Sequence, residues 1–254
     1  MNDETARGGR RRPRRKRLSA EEGRRALLEA GRAMAYEQPA GPPLEHIRLT
    51  DVAERAGVSV GALYHYWDSQ DDYRDDLLDQ VFAPSRFDPP ADAGTDGLGA
   101  VDLVELIRVG TTAELERLRT SPDLRVLMAM WAAADPAIEP RVAEHFRVVG
   151  EDWAGFYEAV FRAHGLEVRP PFTYAQVAAL LTAIGDGLAV RSSVDPGVVP
   201  TDVEVEGEGR WTLLGAALVA LLPAFSRPIG GDDTFGDHVA GVRALVGDAA
   251  PGDR

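Results

Sequence analysis

The 254-residue chain offers few side-chain groupings able to make or break bonds. It has no cysteine, which excludes disulfides and thiolate-based zinc or catalytic sites. Its histidines, His46, His65, His145, His164 and His238, show no His-x-x-x-His spacing that would set two imidazoles on one helix face. Ser192 and Ser193 lie near Arg191 and Asp195 with no histidine close in sequence, and read as a helix C-terminus. Gly185-Asp186-Gly187 sits inside an apolar stretch and is too short to cradle a phosphate. The sequence implies no metal, no cofactor and no enzyme. The chemistry it does suggest is binding: Tyr64, His65 and Tyr66 close a pair of short helical segments, and an arginine run precedes them.

The segment from Leu49 to Trp67 carries that pair. Val52, Ala53, Ala56, Val58 and Leu63 are the apolar positions of two short helices crossing at a tight turn, one near 50–56 and one near 59–67. Ala53 is small enough for close approach, and Gly57 sits where the turn requires a positive φ. Ser59 is placed to cap the second helix. The outward positions of that helix are Val60, Gly61, Ala62, Tyr64 and His65. Two helices in this arrangement make either an ordinary helical hairpin or a major-groove reader.

Around the pair, Ser19-Ala20-Glu21-Glu22 fits a capping box that opens a first helix, which Pro39, Pro42 and Pro43 end. Asp68 or Ser69 caps a fourth helix with Tyr73, Leu77 and Val81 on one face. The stretch 84–100, rich in Pro, Gly and Asp, reads as a linker. Helices are expected near 101–120, 122–134, 137–165, 173–194 and 209–225, with at most a short one near 236–246 in a tail covering 229–254. Val203 and Val205 are too few to predict a strand. No apolar run approaches the ~18 residues of a membrane span, and no contact with a membrane is expected.

Charge is unevenly placed. Residues 1–17 hold eight basic and two acidic residues, a net of +6, while the whole chain carries −13. Arg11, Arg12, Arg14, Arg15 and Arg17 belong to this arm, which has no hydrophobic period and is expected to be disordered when free. Residues 46–75 hold three basic residues (Arg48, Arg55, Arg74) against six acidic ones. Such a surface binds a polyanion poorly by itself, so the arm is the natural source of phosphate neutralisation. A solvated tail is the competing reading of the same arginines.

In the C-terminal half, Met128, Trp131, Trp153, Phe156, Tyr157, Phe161 and Tyr174 could together enclose an apolar or aromatic small molecule. Acidic neighbours at Glu116, Glu151 and Asp152 would favour a cationic one. Leu180, Leu181, Ile184 and Leu188, and then Trp211, Leu214, Leu218, Leu221 and Leu222, recur at three- and four-residue steps. Periodicity alone gives them a buried face without saying in which molecule.

The Ala-Gly-Val-Ser turn at 56–59 and the Leu-Tyr-His-Tyr-aromatic ending at 63–67 occur together, and in this the sequence resembles the TetR (tetracycline repressor) family of transcriptional regulators. The resemblance covers roughly 18–82, with Gly-Asp-Gly-Leu-Ala at 185–189 as a weaker echo. It implies an all-α chain: an arm over 1–17, a three-helix helix-turn-helix DNA-binding domain over 18–83, and a helical ligand-binding and dimerisation domain over 101–228. It implies that Thr50 caps the second helix and meets a phosphate. It also implies that Val60, Gly61, Ala62 and His65 face base edges, that Tyr64 and Tyr66 touch phosphates, and that Leu63 and Trp67 pack inward. Gln70 stands where the family usually has a phosphate-binding lysine, and Val60 where a polar or basic residue is common. The two leucine-rich series would form a four-helix dimer interface. The function implied is a cytoplasmic homodimeric regulator, a repressor by expectation, that grips a palindromic operator in double-stranded DNA and is released by a small molecule. The alternative is a small-molecule-binding or scaffolding homologue with weak or lost DNA binding.

Overall fold

The computed structural model of the chain describes residues 19–37, 44, 46–82, 95–132, 136, 138–200 and 202–248. The basic arm with Arg11, Arg12, Arg14, Arg15 and Arg17, and most of the expected linker, lie outside them. The described residues form two compact units, one ending at Gln80 and the other starting at Val81.

In the first unit, α1 (Ala20–Glu37) opens with the reciprocal cap expected from Ser19 and Glu22. The Glu22 amide donates to Ser19 Oγ at 3.2 Å and the Ser19 amide to Glu22 Oε2 at 2.7 Å. These bonds hold the Glu22 carboxyl below its ordinary range. α2 (Leu49–Ala56) ends on Gly57 at φ 66°, where the Val58 amide reaches back to the Ala53 carbonyl at 2.9 Å. α3 is only Val60–Leu63, shorter than the helix to Trp67 that the spacing predicts. Its last amides tighten into a turn, with Tyr66 and Trp67 both donating to the Leu63 carbonyl. α4 (Gln70–Phe82) starts under Ser69, whose Oγ accepts from the Asp72 amide at 3.1 Å.

Leu27, Leu28, Ala35, Val52, Ala53, Leu63, Trp67, Tyr73 and Leu77 are among the buried residues of this unit. Tyr73 donates to the Leu27 carbonyl at 3.1 Å, and a Cβ added at Gly31 would overlap its hydroxyl. A glycine inside a helix costs about 1 kcal/mol relative to alanine, and here it makes room for the tyrosine.

The second unit contains α5 (Thr95–Leu98), α6 (Leu103–Thr120), α7 (Pro122–Ala132), α8 (Glu139–Ala163), α9 (Tyr174–Val194), α10 (Leu213–Phe225) and α11 (Phe235–Asp248). Side-chain caps sit where α6, α9 and α10 begin, at Asp102, Thr173 and Thr212. α9 packs against α6, α8 and α10. Two expectations are corrected. The linker assigned to 84–100 includes α5, whose Leu98 is buried in the core of this unit. Four short strands occur where none was expected: β1 (Leu166–Val168) pairs with β4 (Ser226–Pro228), and β2 (Val203–Val205) with β3 (Gly209–Trp211). Gly207 and Gly209, at φ 81° and 79°, turn the second hairpin, so two valines suffice for a strand.

The tail is also more ordered than predicted. Arg169 is buried and donates to the Pro223 carbonyl at 3.1 Å and the Ser226 carbonyl at 2.8 Å; it also pairs with Asp233. Phe235 of α11 meets Phe172 and Phe225 at ring-centroid distances of 4.9 and 6.1 Å. α9 spans 21 residues and, contrary to the expectation above, is apolar and long enough to cross a membrane by length and composition. Its outward residues are mostly small.

The Gly31–Tyr73 contact gives a test. Gly31→Ala is expected to cost about 2 kcal/mol through overpacking. The double variant with Tyr73→Phe should recover most of that stability, read as urea-unfolding midpoints.

Candidate DNA-binding face and ligand cavity

α3 is positioned by what lies beneath it. Leu63 is fully buried and Trp67 nearly so. The indole N–H of Trp67 needs an acceptor once desolvated, and Asp76 on α4 supplies it. Asp76 also pairs with Arg24 of α1, whose guanidinium lies 5.6 Å from the Trp67 ring. The tryptophan thus comes with a polar partner that a phenylalanine would not need. This three-helix knot was not visible in sequence, because Asp76 reads there as an ordinary surface acid.

Above it, α3 turns its other side outward. Tyr64 is 56% exposed, His65 and Gly61 are exposed, and Val60 and Ala62 are half-buried. A Cβ at Gly61 would meet nothing within 4 Å. Three roles implied by resemblance change in detail. Thr50 does not cap α2, since the helix begins one residue earlier with Arg48 at the capping position; Thr50 is exposed and donates to Asp51 at 3.0 Å. Tyr66 is half-buried, and a Cβ at Gly23 would overlap its hydroxyl, so it packs on α1. Gln70 turns its amide toward the Ile47 carbonyl at 3.5 Å.

Of the three basic residues in this stretch, Arg55 is forked onto Glu37 at 2.6 and 2.7 Å, and Arg74 pairs with Asp71 at 3.4 Å. Arg48 is exposed, and its guanidinium has no hydrogen bond or ion pair with any described residue. Its place just before α2 is the sequence signal that could have marked it as a phosphate contact, and the motif alone does not single it out.

The second unit holds a cavity of about 1340 Å³, partly open to solvent. Met128, Trp153, Phe156, Tyr157 and Phe161 line it. Trp153 stacks on Tyr157 at 5.4 Å and meets Phe156 edge-on at 5.7 Å. Two residues expected there are elsewhere. Trp131 is 66% exposed at the end of α7, and Tyr174, at the start of α9, packs edge-on against Phe161 without reaching the cavity. Glu116, Glu151 and Asp152 are exposed and also off the wall.

The acids on the wall are Glu114, Asp123 and Asp186. Glu114 is gripped by Arg117 at 2.6 and 2.7 Å. The Asp186 carboxyl accepts no hydrogen bond from any described residue, and burial followed by the field of Glu114 pushes it up to about 6. Burial and the same Glu114 raise the Tyr157 phenol.

The leucine series assigned to a dimer interface is largely internal. Leu181, Trp211 and Leu214 are buried within the chain. Trp211 belongs to β3 and not to a helix, because the hairpin delays α10 until Leu213. Ile184, Leu188, Leu218, Leu221 and Leu222 are half-buried on the cavity wall. Only Leu180, at 37%, is exposed. The exposed apolar residues off the cavity wall are Leu180 and Val194 of α9 and Leu213, Ala216, Ala220 and Pro223 of α10, while the exposed Ala179, Ala183, Gly187 and Val190 of α9 border the open side of the cavity.

Residues 44–73 match the family model described as bacterial regulatory proteins, tetR family, and residues 111–206 match the one described as BetI-type transcriptional repressor, C-terminal. No curated protein sequence matches the chain. Among solved structures, Salmonella enterica GusR is 16% identical, with 80% of this chain and 95% of that one aligned at a TM-score of 0.52. E. coli NemR in its reduced form is also 16% identical, over 68% of this chain and 88% of that one, at a TM-score of 0.50. At such identities the likeness is one of fold.

The raised Asp186 carboxyl has a stability consequence. A group protonated more readily when folded favours folding at low pH, and that contribution is lost as pH rises through its folded value. Asp186→Asn is therefore expected to be more stable than the parent at pH ~8 by about 2 kcal/mol, the gap closing below pH ~4. Melting curves of both proteins across that range check it.

Proposed function

We propose that the chain, whose residues 44–73 and 111–206 match models of TetR-family regulators, is a cytoplasmic, ligand-responsive repressor of that family that binds a palindromic operator as a homodimer. The observation that carries this reading is the open outer face of α3, with Tyr64 and His65 exposed above a fully buried Leu63. A supported short helix with one bare face suits the major groove. Gly61 lets backbone approach closely there, and the methyl-bearing Val60 and Ala62 suit contact with thymine methyl groups. Arg48 and Tyr64, with Thr50 beside them, are the phosphate contacts we assign, and the arginine arm adds the rest. The apolar stripe on α9 and α10 is the surface we assign to the second copy, which accounts for an exposed apolar helix without a lipid. The cavity is the effector site: a ligand that prefers the conformer unable to span both half-sites lowers DNA affinity by its differential affinity.

The paired state of Arg55 and Arg74 and the inward turn of Gln70 favour a second reading, in which the chain binds small molecules and has weak or lost DNA binding.

Fluorescence anisotropy with the DNA flanking the protein's own gene separates the two. Saturable binding of a palindromic site supports repression; none at low salt with the arm intact supports the second reading. Tyr64→Ala is expected to weaken operator binding by about 10-fold with an unchanged melting temperature. Removing residues 1–17 should flatten the salt dependence by ~0.9 log units for each phosphate no longer neutralised. Ala220→Glu, in the exposed stripe of α10 and off the cavity wall, should yield monomers in sedimentation velocity without unfolding them.

A further inference from the structure

The cavity wall is apolar except at one corner, and the arrangement of that corner narrows what can fill it. Glu114 and Arg117 satisfy each other through two short bonds. Asp186 projects from α9 on the same wall with no donor among the described residues. Glu114 acts electrostatically on both Asp186 and the Tyr157 phenol, which places all three together. Arg117 also attracts Asp186 and Asp123 through space without a hydrogen bond to Asp186, a weaker effect on Asp186 than burial and Glu114, and the exposed Arg191 is the other cation on the wall. His145 also lines the cavity, with its Nδ1 3.3 Å from the Phe82 carbonyl. The three acids of the wall against Arg117 and Arg191 leave one surplus carboxylate, and Asp186 is the acid left without a bonded partner.

An acid held in an apolar wall without a donor is unfavourable unless something compensates it. Trp153 and Tyr157, stacked in the same cavity, offer π faces that attract cations. Resting on the reading of this cavity as the effector site, we propose that it takes a bulky hydrophobic organic monocation, whose charged centre sits against Asp186 and the Tyr157 face while its apolar body fills the leucine-lined remainder. At about 1340 Å³ the cavity exceeds what drug-sized ligands usually occupy, so a large occupant fits. The cation recognition lies in Asp186 and Glu114, not in the exposed acids Glu116, Glu151 and Asp152.

The test is calorimetric titration of the full chain with two ions of nearly the same shape and opposite sign, tetraphenylphosphonium and tetraphenylborate. The chain's net charge of −13 attracts any cation, so the titration is run at ~0.2 M salt, where long-range attraction is screened. Tetraphenylphosphonium is expected to bind at least ~10-fold tighter than tetraphenylborate. Asp186→Asn, which changes the net charge by only one, should bring the two affinities close together. Glu114→Gln should reduce the preference less, and it serves in place of the first variant should that one fail to fold. Equal or tighter binding of the borate overturns the proposal and leaves the cavity as an effector site. A preference untouched in Asp186→Asn overturns it as well. Binding of neither ion overturns both this proposal and the effector-site reading.

Discussion

A helix of four residues has no stability of its own, because nucleation costs more than one or two hydrogen bonds return. α3 is such a helix, and everything proposed for DNA recognition depends on its being held from below. Leu63 and Trp67 supply the apolar hold. Asp76, shared between the Trp67 indole and Arg24, ties α1, α4 and the end of α3 into one polar knot. Gly57 sets the direction from which the chain enters it. The exposed residues of α3, Gly61, Tyr64 and His65, are therefore not what holds it in place.

The second unit is organised by the opposite problem. Its helices must enclose a large volume without collapsing into it. Long α8 and α9 pack together, and α6 and α10 close on α9. At Gly215 a Cβ would crowd the Thr111 hydroxyl at 2.7 Å, so the α6–α10 approach depends on the absent side chain. At the far end, the buried Arg169 collects backbone carbonyls from the end of α10 and the strand after it. That clamp fixes the two-stranded β1–β4 ribbon and seats α11.

How much of this was legible depended on range. Caps and turns are local: Ser19 with Glu22, Gly57 and Ser69 could each be placed from neighbours within three or four residues, and the helices they bound follow. The buried positions Tyr73, Leu77 and Val81 follow from period alone. What failed needed partners distant in sequence. A leucine on α10 looks the same whether it faces a cavity or a second copy, so Leu218, Leu221 and Leu222 were placed outside when they face inward. The small residues Ala216 and Ala220, which are exposed on α10 away from the cavity wall, carry little hydrophobic signal. Trp131 and Tyr174 have the right chemistry for a cavity but lie at helix ends. Asp186 looks in sequence like part of a glycine pair, and its importance comes from Glu114, seventy-two residues away.

α9 has one consequence beyond its separate contacts. It presents Leu181 and Ile184 to the cavity and Leu180, which is off the cavity wall, outward within the same turn. A helix is stiff along its axis, so a guest that displaces the inner side displaces the outer side with it. If a second copy rests on that outer side, the two events share a single free-energy cycle and influence one another equally. Affinity for the guest would then vary with dilution of the protein, and a titration at one concentration would report the coupled system, not the cavity alone.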